Sequence, residues 1–495
     1  MKKFLNFRLL TALAISIICG TVACHFRPTV GNYGFLILIG LCLSGFLLSE
    51  ILFKATPRLK RAVVAAACLF FALCGYGRLL IAAETFKAEN APSGEYTVTG
   101  TVREVSKTSS GLKVIMKDCL YDGERGGDLV VYGLESVAAD DIITVKGKVY
   151  PLPAEQGGKY SYYLLQNISA AGYDVSLVSV DGNAGGVFHA VRSGIKSVLL
   201  KEGGTSPDVA LAVVIGDASR LDEEEKNNFR LTGIAHIFAV SGMHVGLLFL
   251  SLSFVFRFIK IKRGIKSAII FLALAFYSGV CGFSASSLRA ALMCGAYLFA
   301  RSIGEKPDGV NALSLAAAIV ALISPTDVLG VGYILSFTVS LSILAVSPPI
   351  RRKTAFLGEK FSLAFAVLIA AELAAFPISV IYFGYFPTVA LIANLLFIPI
   401  ITATYYLLWA GIIIDLILPF LSVGLILPYL VFDGIYALTS ILSASPTLTV
   451  FPKFCLAAYY IAIFIASDLV NAGKAVKRVC VGAVAAVIFI CVILN

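Results

Sequence analysis

Two of the four histidines in this 495-residue chain, His236 and His244, flank Ser241 in the run 236-HIFAVSGMHVGLLFL-250. A serine three residues before a histidine meets it on one helix face, so the pair has the reach for nucleophilic hydrolysis. That chemistry also needs a group to orient the imidazole and donors for an oxyanion, and the segment supplies neither. Two histidines without a third ligand make no metal site. The sequence contains no H-E-x-x-H, G-x-S-x-G or G-x-x-x-x-G-K-[ST] run. The expectation is a chain with no catalytic residues, no metal, no cofactor and no P-loop. Two uses remain for these side chains: hydrogen bonding to neighbouring helices, or lining a polar path. Taken as one helix, His236, Val240, Ser241 and His244 fall within an arc of about 140°. Gly233, Gly242 and Gly246 allow another helix close. Ionisable groups in apolar segments are functional candidates by default, so the polar path is the preferred reading.

Two more charges sit in apolar runs. Arg289 lies in 284-SASSLRAALMCGAYLFA-300, behind a serine-rich entrance, and Glu372 in 369-IAAELAAFP-377 is the partner expected for it. Arg78 is a weaker case, near enough to a span end to reach the interface. Asn394, in 391-LIANLLFIP-399, reads as an interhelical hydrogen-bonder.

The elements that hold these residues are membrane spans. The chain is 58% hydrophobic and 14% charged, where soluble chains are nearer half and a quarter. Its net charge of +10 gathers in short loops: Lys54 to Arg61, Lys260 to Lys266, Arg351 to Lys353 and Lys474 to Arg478. Basic loops between apolar runs are the positive-inside signature, so they set topology rather than bind nucleic acid. The start, 1-MKKFLNFRLLTALAISIICGTVACHF-26, has signal-peptide features, but an apolar run and a basic loop follow at once. A first transmembrane helix is expected instead. Ten of the eleven cysteines lie in apolar segments and no C-x-x-C occurs, so disulfides are not expected.

Three spans, near 9–26, 33–53 and 62–83, make residues 1–83 an N-terminal membrane segment that places 84–190 outside the cytoplasm. Region 84–190 reads as strands over 95–106, 111–120, 128–135, 141–152 and 173–180, with a helix over 157–173. Five short strands in so small a region suggest an OB-like barrel. It holds nine Lys/Arg and fourteen Asp/Glu, net −5, the opposite sign from a typical nucleic-acid platform. A local basic face would need Arg103, Lys107, Lys113, Lys117, Lys146 and Lys148, with tyrosines nearby. Residues 191–232 read as an interfacial connector, with Asp222 and Glu225 spaced as a capping box. Residues 233–495 are nearly continuous membrane, with spans near 234–258, 267–283, 285–301, 310–324, 333–347, 361–382, 389–409, 411–430, 431–446, 450–468 and 479–494. The fold class expected is a polytopic α-helical membrane protein with an inserted extracytoplasmic OB-like barrel.

The run 211-LAVVIGDASRLDEEEKNNFRLTGIAHIFAVSGMHVGLLFL-250 resembles the signature of the ComEC family of competence proteins. The matching residues are Gly216, Asp217, Thr232, Gly233, His236, Ala239, Ser241, Gly242, His244, Val245 and Gly246. Further likeness follows at 288–301, 311–325, 332–340 and 382–400, and upstream at 157–173. The resemblance implies a channel in the cytoplasmic membrane for single-stranded DNA in natural transformation. Asp217, His236, Ser241, His244, Arg289 and Glu372 would line or shape its path, and the outer barrel would engage DNA. It also implies membrane lipid around the chain, a receptor for double-stranded DNA, a separate nuclease and an ATP-driven motor. Many members carry a nuclease with an H-x-H-x-D-H motif. No such motif is present, so strand degradation is expected of another protein. A permease for another solute is the alternative reading.

Overall fold

The structure, a computed structural model, describes residues 9–26, 58–89, 93–108, 111–134, 137, 141–157, 159–183, 186–201, 205–238, 241–418, 422–470 and 472–493. The span expected over 33–53 lies outside them. The chain forms two compact units, one of Leu9–Gly194 with Ala317–Gly330, the other of Ile195–Ala316 with Val331–Asn495.

In the first of these, α1 (Leu9–His25) packs on α2 (Arg58–Ala88). Arg78 on α2 is exposed and bonds a neighbouring helix end. Its Nε donates to the Leu322 carbonyl at 2.8 Å and Nη2 to Ile323 at 3.3 Å, satisfying carbonyls that a helix end leaves open.

Five strands follow: β1 (Gly94–Thr108), β2 (Gly111–Tyr121), β3 (Asp128–Leu134), β4 (Asp141–Pro151) and β5 (Ile168–Asn183). They close in the order 1-2-3-5-4-1, with β3 and β5 parallel and every other pair antiparallel. That is OB-type closure, which leaves no unpaired edge. Alternation puts Val98, Val102, Val114, Met116, Leu129, Val131, Ile143, Val145 and Val149 in the interior. Cys119 joins this core, and burial pushes its thiol up to about 12. The helix expected over 157–173 is only one turn, α3 (Tyr162–Gln166). Ser161 caps its start and Asn167, at φ 57° and ψ 36°, ends it. Ile168 onward is needed as β5, hydrogen-bonded between β3 and β4.

The other unit is helical. After α4 (Val187–Leu199) come α5 (Thr205–Ile215), α6 (Glu223–Leu231), α7 (Gly242–Val255), α8 (Arg263–Val280), α9 (Ala285–Ser302), α10 (Gly309–Ile323), α11 (Val331–Lys353), α12 (Glu359–Phe383), α13 (Ala390–Ile417), α14 (Ile426–Leu442), α15 (Leu456–Ala466) and α16 (Lys474–Ile493). The capping box on α6 forms, with the Asp222 N–H donating to Glu225 Oε2 at 2.8 Å. Among the described residues six helices are long and apolar enough to cross a membrane: α2 from Ala66, α8, α11, α12, α13 and α16. The spans expected at 389–409 and 411–430 are not separate. One helix runs through to Ile417, because Pro399 and Gly411 are both accommodated within it. The largest core gathers α5 (Val209 to Ile215), Phe229, Ile237 and the α13 residues Phe397, Ile401, Tyr405, Leu408 and Ile412.

Candidate membrane-buried polar site

Residues 236–244 are not one helix. Ala235–Ile237 form a separate 3-10 turn, and α7 begins only at Gly242. The local chemistry explains the break. Ser241 is extended, at φ −93° and ψ 171°, and its Oγ accepts the Met243 N–H at 3.3 Å. Its own N–H donates to His244 Nδ1 at 3.1 Å. This is a capping box with histidine in the position usually held by Glu or Gln. The Ser241–His244 contact that the spacing allows is therefore present, Oγ to Nδ1 at 3.2 Å, as a helix cap.

His244 is fully buried. With Nδ1 accepting, a neutral imidazole carries its proton on Nε2, and Nε2 has no partner among the described residues. The ring lies 5.1 Å from that of Tyr405 on α13. Tyr405 donates to the Tyr277 hydroxyl at 3.1 Å, and Tyr277 to the Val214 carbonyl at 2.7 Å. A hydrogen-bonded line thus ties α13 and α8 to α5.

Arg289 meets the same turn. It sits on α9, whose start is capped by Ser284 accepting the Ser287 N–H at 3.2 Å. It is 7% exposed. Nη1 donates to the Ser336 carbonyl on α11 at 2.8 Å. The guanidinium stands 5.8 Å from the Phe337 ring centre, a modest cation–π contact. Its Nε is buried without an acceptor among the described residues. Gly242 makes room for it: a Cβ there would lie 2.8 Å from Nη2. Ser336 Oγ also donates to Ser286 Oγ at 3.1 Å, so the first turn of α9 meets the second turn of α11 here, and Arg289 links both to the start of α7.

The other residues singled out in the sequence lie elsewhere. Glu372 is not the partner of Arg289; its Oε1 accepts from Asn394 Nδ2 at 2.8 Å, because α12 packs on α13. Asp217 accepts from Lys196 Nζ at 3.1 Å and from Ser219 Oγ at 2.6 Å, closing the turn after α5. His236 Nδ1 faces the Gly233 carbonyl at 3.3 Å. Gly233 is a close-approach residue, its Cα against Ala390 at the start of α13, whereas a Cβ at Gly246 would meet open space.

Sequence reasoning missed four features. Asp415, 3% exposed on α13, receives Lys201 Nζ at 2.6 Å, and Ser206 donates to Asp433 on α14. An aspartate in a 28-residue apolar helix was a visible signal for the first. Ser336 serves Arg289 through its backbone carbonyl, which no side-chain pattern announces. Trp409, the chain's single tryptophan, packs among Tyr277 and Tyr405.

On the barrel, Tyr132 and Tyr173 stack at 5.7 Å and 10°, with Tyr150 at 6.0 Å from Tyr173. Tyr150 and Tyr173 are 43% and 51% exposed. Lys148 lies opposite Tyr173 and Lys113 opposite Tyr132 in the strand register, so tyrosines and lysines share a face. Arg103 is not part of it, being paired with Asp128 at 2.9 Å. Burial pushes the Asp128 carboxyl up to about 6, outweighing the Arg103 charge.

Six apolar helices, further short ones and a closed OB-like barrel define a polytopic membrane protein with an inserted β domain. A family model described as "Competence protein" matches residues 213–470, just over half of the chain. ComE operon protein 3 of Bacillus subtilis (strain 168) is 29% identical over 197 residues, 40% of this chain and 25% of that protein. The chain therefore belongs to the ComEC family of competence proteins, although the match spans only a quarter of that relative. No solved structure matches.

Proposed function

We propose that this chain is the cytoplasmic-membrane conduit through which single-stranded DNA enters during natural transformation. The observation that carries the reading is family membership joined to a buried, cationic polar site inside the matched region. Helix lengths support its depth. The fourteen residues of α7 rise about 21 Å, against a hydrocarbon core of roughly 30 Å. With Lys260, Lys262 and Arg263 beyond its C-terminal end, its first turn stops inside the apolar layer. A phosphate chain crossing there needs polar, positively biased groups with few deep traps. The barrel at 84–190 would face outward and offer its tyrosine–lysine face for base stacking and phosphate contact. A double-stranded DNA receptor, a separate nuclease and an ATP-driven motor complete the pathway we infer.

The test is transformation frequency in a competent host lacking its own homologue, complemented with wild type, His244→Ala or Arg289→Ala at matched membrane levels. Restoration by wild type and failure of Arg289→Ala are expected. Equal restoration by all three would reduce the site to packing. Should wild type fail in a host whose own gene restores uptake, the chain would instead be a permease for another solute.

A further inference from the structure

The first turn of α7 and the Arg289 guanidinium lie against each other, with no carboxylate between them among the described residues. Each is a positive end. Unfilled amides at a helix start carry about half a positive charge, and the guanidinium is 7% exposed with no carboxylate partner among the described residues. Ser241 Oγ takes the amides of Met243 and His244, leaving the Gly242 N–H outside the capping pair. The first turn of α9 reaches the same point through Ser286, which accepts from Ser336 Oγ in the second turn of α11. Arg289 Nε is itself buried with no acceptor among the described residues. Taking a cation out of water without a counter-ion is costly, and the Ser336 carbonyl and the Phe337 face answer only part of that. Such a group is stabilised by an anion with several acceptor oxygens, presented to an Arg fork and a helix start together.

We propose that Arg289 and the Gly242 end of α7 form a binding site for one phosphodiester anion. This rests on the conduit reading for its occupant, the DNA backbone; a lipid phosphodiester presents the same chemistry. Gly242 is then required for space, since the Cβ of any other residue would lie 2.8 Å from Nη2 and displace the fork. One isolated anion site among apolar helices suits a chain that must move on, because a run of such sites would hold it.

Purified full-length protein in maltoside detergent provides the test, with Trp409 fluorescence and thermal stabilisation as readouts. Titrants are oligothymidylate, short-chain phosphatidylglycerol and inorganic phosphate, with chloride as the control. Wild type is expected to be stabilised by phosphodiesters and not by chloride. Arg289→Lys and Gly242→Ala are expected to bind about ten- to a hundredfold more weakly, the loss of charge-assisted hydrogen bonds. Equal affinity in wild type and both variants overturns the site, as does absence of stabilisation of wild type by any phosphodiester, which needs no variant to fold. Preference for the lipid over the oligonucleotide keeps the site and removes DNA as its occupant. Transformation is scored separately, so failed complementation with intact phosphodiester binding refutes the conduit and not the site.

Discussion

Three glycines of the signature stand in three different environments, and substituting each by alanine separates them. Gly233 has φ +79°, and its new methyl group would lie 2.6 Å from Ala390 Cβ and 3.2 Å from Ala390 Cα. The left-handed backbone costs a side chain about 1–2 kcal/mol, and overpacking against a helix adds about 1–3 kcal/mol. Gly233→Ala should therefore lose about 2–5 kcal/mol, or roughly 2–5 °C in melting temperature for a chain of this length. At Gly242 the obstacle is the far end of a flexible side chain, so the fold should lose less than about 1 kcal/mol. Gly246 has open space around it, and alanine in a helix interior gains up to about 1 kcal/mol. The order expected is Gly246→Ala at or above wild type, then Gly242→Ala, then Gly233→Ala. Melting of the purified protein, followed by Trp409 emission, reads it directly, since Trp409 packs against the same core as Val245. A Gly233→Ala protein melting with wild type, or a Gly246→Ala protein falling by several degrees, would refute the close-approach argument.

His244→Gln keeps an acceptor for the Ser241 N–H and should retain wild-type membrane levels, while His244→Ala should lose about 1 kcal/mol of cap; immunoblots and melts of the two variants check this. Asp128 has a folded pKa of about 6 against an ordinary 3.8, so the native barrel binds its proton more tightly than the unfolded chain. Its stabilising contribution, up to about 3 kcal/mol, is complete below about pH 4 and is lost as pH rises through about 6. Hydrogen exchange of β3 at pH 5 and pH 8 should show more protection at pH 5, and Asp128→Asn should flatten the difference; greater protection of wild type at pH 8 would contradict the burial argument.

Much of the fold was legible because its determinants are local. The barrel strands alternate apolar and polar residues between turn residues, and the α6 cap is written in Asp222 and Glu225. The start of α7 was not legible, because Ser241 and His244 stand in an otherwise apolar run and hydropathy sees no break. Only the extended Ser241 backbone and the histidine acceptor make one. Glu372 was paired with Arg289 in the sequence reading because both are buried charges. The structure gives Glu372 to Asn394 and Arg289 to a carbonyl, since partner choice is set by helix neighbours that sequence spacing does not encode. The end of α3 was missed for a related reason. Its tyrosines favour helix and strand alike, and only the pairing demands of β3 and β4 decide for strand.

The signature around His236 becomes intelligible as the construction of a buried helix start. Gly233 turns the chain tightly against α13, and the His236 imidazole faces the Gly233 carbonyl across that turn. Ser241 and His244 satisfy amides that hydrocarbon would leave without partners. Gly242 removes the side chain that would exclude Arg289. A continuous span would need none of these residues, and its backbone would present no open amides to anything beside it. The short helix instead sets its positive end next to a buried guanidinium. In such buried surroundings each polar interaction is stronger than at the surface, so the few polar groups of this turn carry weight out of proportion to their number.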